Sequence, residues 1–433
     1  MALISPDASG GAPSAGTSQG HVDAPELRPF VMALFFIFGG ITSLNDVIIP
    51  KLKDLFTLNY MQAMLVQTAF FAAYAIVSIP GAALVKKIGY MRGAAIGLLL
   101  MMAGCLLFIP ASASATFGVF LFALFILASG VTIVQVVANP LISLLGAPKT
   151  ASSRLTFAQA FNSLGTTIFP YLGAILILGS LAQVDASTLT GAALDSYRVA
   201  ETRVVVRAYL GLALALAIVA GVVWLNRHRL KNETHDTTSS ALASFTLLKR
   251  PRFGLGALSI FLYVGAEVAI GSLIVNYLRE ENVLGLSDQA AGQLIPLYWG
   301  GALIGRFIGS AVLRTISPGK VLAFNAAGAI LLILISANTS GAVAGYSLLA
   351  IGLMNSIMFP TIFSLASEGL GKRAADGSGV ICVAIVGGAI IPPLTGYLAD
   401  LTGSLAIALS LPALCYLFIA GFGLYARRPV APL

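Results

Sequence analysis

Charged residues are scarce in this chain: Asp, Glu, Lys and Arg make up 10% of its 433 residues, where a soluble domain carries roughly 25%. With 58% of residues hydrophobic, water is excluded as the main solvent. Cysteine is rare as well. Cys105, Cys382 and Cys415 are odd in number, lack C-x-x-C spacing and fall inside apolar runs, so neither a disulfide framework nor a metal knuckle is expected and packing is their role. The histidines, His21, His228 and His235, lie in a tail or a loop. None is left inside an apolar run as a metal ligand or base, which speaks against a metalloenzyme, and no cofactor is expected.

What the chain has in abundance is apolar sequence in long runs. A helix needs about 20 largely apolar residues to cross the hydrocarbon core, because each residue rises only ~1.5 Å and every backbone amide must be satisfied within the segment. Twelve such runs are predicted, at 29–50, 60–84, 92–110, 116–146, 154–180, 204–226, 253–278, 288–313, 320–337, 342–366, 376–399 and 403–425. The fold expected is an all-α membrane protein. Residues 1–27, rich in Gly, Ala, Ser and Pro, read as a disordered tail without a signal peptide's basic start. The polar stretch 227–252 reads as a linker between two bundles of six spans, 28–226 and 253–433.

The formal charge of +8 raises the question of nucleic acid, and the placement of the basic residues answers it. Most lie in the tails and in alternate loops. The opposite loops hold only Lys51, Lys53, Arg198, Arg203, Arg207 and Arg279, which by the positive-inside rule sets both termini in the cytoplasm and gives no support to a nucleic-acid partner. Lipid is the expected surrounding.

At an offset of about 225 residues the two halves repeat. Gly40 meets Gly265, Tyr74 meets Trp299, Gln135 and Pro140 meet Asn355 and Pro360, and Gly165, Pro170 and Gly173 meet Gly388, Pro393 and Gly396. Two parallel six-helix repeats resemble the major facilitator architecture, in which two similar bundles rock about a site near the bilayer midplane.

A charge in hydrocarbon costs about 3 kcal/mol on insertion scales, so an acid within a span is a functional candidate by default. Asp46, in span 1, and Glu267, in span 7, lie well inside. Thr42 and Ser43 precede Asp46 by four and three residues and share its helical face. A carboxylate beside hydroxyls suits a proton or, with more oxygens, sodium; the alternative is that Asp46 only caps or pairs with Lys51 or Lys53. Glu267 suits a sugar hydroxyl, a proton or a structural bond. It shares a face with Asn276, nine residues on, only if the helix breaks, for which Gly271 gives the opportunity.

Amides and hydroxyls matched to ring hydroxyls, with an aromatic platform for the C–H face, are what a sugar requires. Gln135 and Asn139 are spaced i, i+4, and Gln159 and Asn162 are spaced i, i+3, so each pair presents one polar face; the alternative is interhelical glue. Tyr74, Tyr298 and Trp299 are the candidate platform, although such aromatics also mark membrane interfaces. Lys86, Lys87 and Arg92 after span 2, and Arg306 inside span 8, are candidates for latching the halves through helix carbonyls and acids. Val85 stands where the general facilitator loop motif has an acid.

Taken together, F-F-I-F-G-G-I-T-S-L-N-D, V-Q-V-V-A-N-P, A-Q-A-F-N-S-L-G-T-T-I-F-P, Y-V-G-A-E-V-A-I-G-S and W-G-G-A-L-I-G-R-F-I-G-S resemble the fucose/galactose/glucose symporters of the major facilitator superfamily, and especially their glucose/galactose branch. The resemblance runs from about Phe30 to Arg428. It implies that Asp46 matches the family's essential span 1 carboxylate and that Gln159 and Asn162 match its span 5 sugar amides. The fucose transporters carry an acid where this chain has Gln135, which disfavours fucose. The expectation is a monomeric carrier in a bacterial inner membrane that moves glucose or galactose together with a proton or sodium. The rivals are an efflux antiporter, against which the amide pairs argue, and a sugar sensor that no longer transports.

Overall fold

The computed structural model describes residues 25–56, 60–114, 116–173, 189–228, 230 and 241–428, and every regular element among them is helical. The first half contains α1 (Arg28–Leu55), α2 (Tyr60–Ile88), α3 (Tyr90–Leu106), α4 (Phe108–Ser114), α5 (Phe117–Leu144), α6 (Ala151–Gly173) and α7 (Gly191–Leu225). The second contains α8 (Pro251–Arg279), α9 (Asp288–Gly292), α10 (Ile295–Val312), α11 (Pro318–Asn338), α12 (Gly341–Asn355), α13 (Met358–Ser367), α14 (Ala374–Ala384), α15 (Gly387–Thr402), α16 (Leu405–Ala408) and α17 (Ser410–Tyr425). Among the described residues nine helices, counting consecutive pieces as one, are long and apolar enough to cross a membrane. Helices α1, α6 and α10 are not among the nine; they carry polar residues singled out by the sequence.

Most of the expected tail lies outside the described residues, but its last three, Pro25–Leu27, form a 3-10 turn whose Leu27 is buried. The linker is likewise partly ordered: Ala241–Lys249 is a 3-10 segment that buries Leu247. Its apolar residues have a helix surface to cover, which composition alone did not reveal.

The helix pairs of the first half recur in the second. Helix α1 packs on α6 as α8 packs on α15; α2 on α5 as α10 on α12; α3 on α7 as α11 on α17. Glycine sets the closest of these approaches. A Cβ on Gly165 of α6 would strike the main-chain carbonyl of Phe36 on α1, and a Cβ on Gly387 of α15 would strike that of Phe261 on α8. Contact therefore makes Gly387, not Gly388, the counterpart of Gly165; Gly388 faces the Phe71 ring instead. Basic residues repeat too. Arg28 Nε donates to the Leu145 carbonyl at 2.9 Å and Arg252 Nε to that of Leu365 at 3.0 Å, each satisfying a carbonyl near the C-terminal end of a helix, α5 in one half and α13 in the other.

Between α12 and α13 the helix breaks, and Pro360 is the reason. It has no N–H for the carbonyl of Ser356, four residues earlier, and its ring crowds that carbonyl. Two main-chain oxygens at the break find side-chain donors: Arg306 Nε meets the Ser356 carbonyl at 3.1 Å, and Tyr263 Oη meets that of Asn355 at 3.0 Å.

Candidate functional site

In the first half a polar chain joins three helices. Thr42 Oγ donates to the Phe38 carbonyl of its own helix at 2.7 Å and lies against the Tyr74 hydroxyl of α2. That hydroxyl accepts from Gln135 Nε2 of α5 at 3.0 Å. Ser43 Oγ bonds back to the Gly40 carbonyl at 2.9 Å. Asp46 lies on α1, but its side chain falls outside the described residues.

The neighbouring amides are not all engaged. Gln135 Oε1 is buried without a hydrogen-bond partner, and so are both amide atoms of Asn139, one helical turn away. Asn162 Nδ2 donates to the Phe35 carbonyl at 3.3 Å and packs on Gly39, where a Cβ would collide with the amide. Gln159 is buried one turn earlier on the same helix. A buried polar atom with no partner costs about 1–3 kcal/mol, so a site left in this condition suits a ligand that brings hydrogen bonds.

The second half builds a closed network. Asn355 Nδ2 donates to Tyr298 Oη at 2.8 Å, Tyr416 Oη donates to Asn355 Oδ1 at 2.8 Å, and Tyr298 Oη reaches the Glu267 main-chain oxygen at 3.3 Å. Tyr263 Oη lies 2.8 Å from Glu267 Oε1. The Tyr298–Asn355 pair mirrors Tyr74–Gln135, so Tyr298 rather than Trp299 is the structural counterpart of Tyr74. Tyr298 is fully buried with its hydroxyl occupied, which removes it as an open platform. Trp299 is 42% exposed and lies beside Gly271.

Helix α8 runs unbroken through Gly271. Nine residues at about 100° each put Glu267 and Asn276 on opposite sides, and Asn276 is exposed, so the pairing of these two at one site is set aside.

One end of the molecule holds the halves together. Lys86 Nζ of α2 makes an ion pair with Asp376 of α14 at 3.1 Å, both side chains nearly buried, and Asp376 also accepts from Arg373 Nε at 3.3 Å and from Ser244 Oγ of the linker at 3.0 Å. Along α6, Ser152 Oγ meets Ser364 Oγ at 2.9 Å and Ser153 Oγ donates to the Ser310 carbonyl at 2.6 Å. Arg306 of α10 donates to the Gln159 carbonyl at 3.0 Å and to Ser163 Oγ. These contacts climb from Ser152 to Ser163, roughly 16 Å of helix. Lys87 and Arg92 are exposed and stand outside these bonds. Sequence reasoning missed Asp376, which stood at the edge of a predicted span, and the polar stripe of α6, Ser152, Thr156, Gln159 and Ser163, whose steps of four, three and four residues were a legible signal.

The fold and these contacts invite comparison with known proteins. The model of the Major Facilitator Superfamily matches residues 31–391. The chain belongs to this superfamily. It is thus a multi-pass membrane transporter and not an enzyme. Within the superfamily it is 50% identical over 395 residues to the glucose/galactose transporter of Brucella abortus biovar 1, covering 91% of this chain and 92% of that one. It is 34% identical over 410 residues to the L-fucose-proton symporter of Escherichia coli K12, covering 92% and 93%. The crystal structure of the facilitator FucP in the outward conformation superposes with a TM-score of 0.85 at 32% identity, covering 93% of this chain and 99% of that one. The chain groups with the glucose/galactose transporters and the fucose-proton symporters of the superfamily.

Proposed function

We propose that this facilitator carries glucose or galactose into a bacterial cell together with a proton, by alternating access between a twelve-span outward-open and inward-open form. The observation that supports it most directly is the set of unpartnered buried amide atoms on Gln135 and Asn139, lying where a sugar's hydroxyls would supply the missing bonds. The 50% identity to a glucose/galactose transporter favours the same substrates. Gln159 and Asn162 complete the sugar-facing amides, with Trp299 as the exposed aromatic surface opposite. The half-bundles 28–226 and 253–433 are the rocking bodies, with both termini in the cytoplasm of a cell whose inner membrane holds the protein.

Asp46 is the coupling acid, and the coupling ion is a proton: the relatives named for their ion are proton symporters, and sodium has no counterpart there. A proton gradient drives accumulation only if proton binding favours one sugar-loaded state over the other, and a carboxylate on the helix of Thr42 and Ser43 provides that linkage. The Lys86–Asp376 pair and the Arg306 bridge then form the inner gate, closed here, which makes this the outward-facing state.

Uptake of labelled glucose and of labelled galactose into proteoliposomes, with proton and sodium gradients imposed separately, tests the reading. Accumulation under the proton gradient alone is expected. Asp46→Asn is expected to abolish accumulation while preserving exchange of labelled for unlabelled sugar. Uptake driven by sodium would overturn the ion, unchanged accumulation by the variant would overturn Asp46, and exchange without accumulation in the native protein would overturn symport.

A further inference from the structure

The network around Asn355 needs one more proton than its tyrosines possess. Tyr263 has a single hydroxyl hydrogen and two oxygens within reach, the Asn355 main-chain oxygen at 3.0 Å and Glu267 Oε1 at 2.8 Å. The Asn355 carbonyl lies at the break ahead of Pro360, and Tyr263 Oη is the side-chain donor that meets it. If Tyr263 gives its hydrogen to a Glu267 carboxylate, the buried Asn355 carbonyl loses the tyrosine as its side-chain donor. If it gives the hydrogen to the carbonyl, two oxygens stand 2.8 Å apart with none between them unless the acid brings one. The other hydroxyls do not help: Tyr298 reaches the Glu267 main chain and Tyr416 the Asn355 side chain. Turning the Asn355 amide over exchanges the roles of Tyr298 and Tyr416 and leaves Tyr263 as it was.

We propose that Glu267 is a proton-binding site separate from Asp46, holding a carboxylic-acid proton in this state and donating it to Tyr263 Oη, which in turn donates to the Asn355 carbonyl. The proton comes from water and returns to it; no other bond changes. Glu267 is half-buried, whereas Tyr263, Tyr298, Tyr416 and Asn355 are buried, so the acid sits at the accessible edge of the network. The charged and titratable groups around it are Tyr263 on its own helix, Tyr298 and Arg306 on α10, and Tyr416 and Cys415 on α17. Of the other helices packed on α8, α13 brings no ionisable side chain, α14 brings Cys382 and Asp376, the latter held by Lys86, and α12 and α15 bring Tyr346, Tyr397 and Asp400, all exposed. The side chain of Asp288 on α9 lies outside the described residues. Arg306 is the positive charge nearest in influence, and its described hydrogen bonds run to Ser356, Gln159 and Ser163.

For its part in transport this inference rests on the symport reading; the protonation itself does not. Infrared difference spectra of sugar-free protein in lipid at neutral pH, native minus Glu267→Gln, test it. Loss of a protonated-carboxyl C=O band in the variant is expected, and loss of carboxylate bands instead would overturn the proposal. Should Glu267→Gln fail to fold, Tyr263→Phe, which keeps the acid and removes its acceptor, decides: the C=O band shifts if the proposal holds, and an unmoved carboxyl region overturns it. Failed sugar uptake would unseat the symport reading and leave these spectra to stand on their own.

Discussion

The two halves place an amide at equivalent positions and treat it differently. In the second half Asn355 has both amide atoms bonded, to Tyr298 and Tyr416, and its main-chain oxygen is taken by Tyr263. In the first half Gln135 has one bond, to Tyr74, and its oxygen has no protein partner, while Asn139 below it has neither amide atom bonded. Duplicated architecture thus carries two kinds of polar chemistry. A network whose donors and acceptors are matched internally holds helices together, whereas one left short of partners is suited to receive a ligand. Under the proposed function, substrate recognition would fall mainly to the first half, with the second half providing rigidity and one acid at its edge.

The sharpest way to test how far the symmetry goes is through its glycines. Gly165→Val and Gly387→Val are each expected to prevent folding, because the side chain would occupy the position of a backbone carbonyl that cannot move aside, an overlap costing several kcal/mol, on the order of 3 or more. Yield of monodisperse protein after detergent extraction measures it. Normal yield from one variant alone would mean that the two helix crossings are not equivalent.

Next in size is the contrast between the amides. Asn355→Leu strands two tyrosine hydroxyls and is expected to destabilise by about 2–4 kcal/mol, seen as a lowered thermal midpoint. Asn139→Leu removes only atoms that had no partner, so the midpoint is expected to hold while glucose affinity falls by roughly tenfold, the equivalent of a lost hydrogen bond or two. Equal effects on stability would erase the distinction between scaffold and receptor.

The smallest effect is expected at the gate. Lys86→Gln breaks a nearly buried ion pair yet leaves Asp376 with Arg373 and Ser244, so folding persists and the balance of states shifts toward the inward-open form. Labelling of a cysteine placed at Ser152, which faces Ser364 across the gate, is expected to rise several-fold, an equilibrium shift of about 1 kcal/mol. Restoration by the charge-swapped pair Lys86→Asp with Asp376→Lys would tie the effect to the ion pair, and unchanged labelling would remove it from the gate.

Much of this was legible in the chain. Apolar runs of about 20 residues announced the membrane helices, since a single segment satisfies its own backbone in hydrocarbon only as a helix, and the Gly and Pro intervals of spans 5 and 11 announced the repeat. Intervals locate a counterpart only to within a residue, however. Gly388 and Trp299 were paired with Gly165 and Tyr74, where contact selects Gly387 and Tyr298. Gln135 and Asn139 were found as candidate amides, but that some of their atoms lack partners depends on helices distant in sequence. Glu267 was found as an acid in a span; its partner Tyr263, one turn earlier on the same helix, had the spacing to be noticed.

Sequence alone determined that this is a helical membrane transporter built from a repeated half, because hydropathy, the cost of buried charge and the spacing of helix-breaking residues are properties of the chain itself. Only the tertiary structure decided which polar atoms remain unsatisfied and which ions meet across the halves. Lys86 and Asp376 are 290 residues apart, and whether a buried charge or amide finds its partner is a matter of where folding brings other helices, which no local pattern encodes.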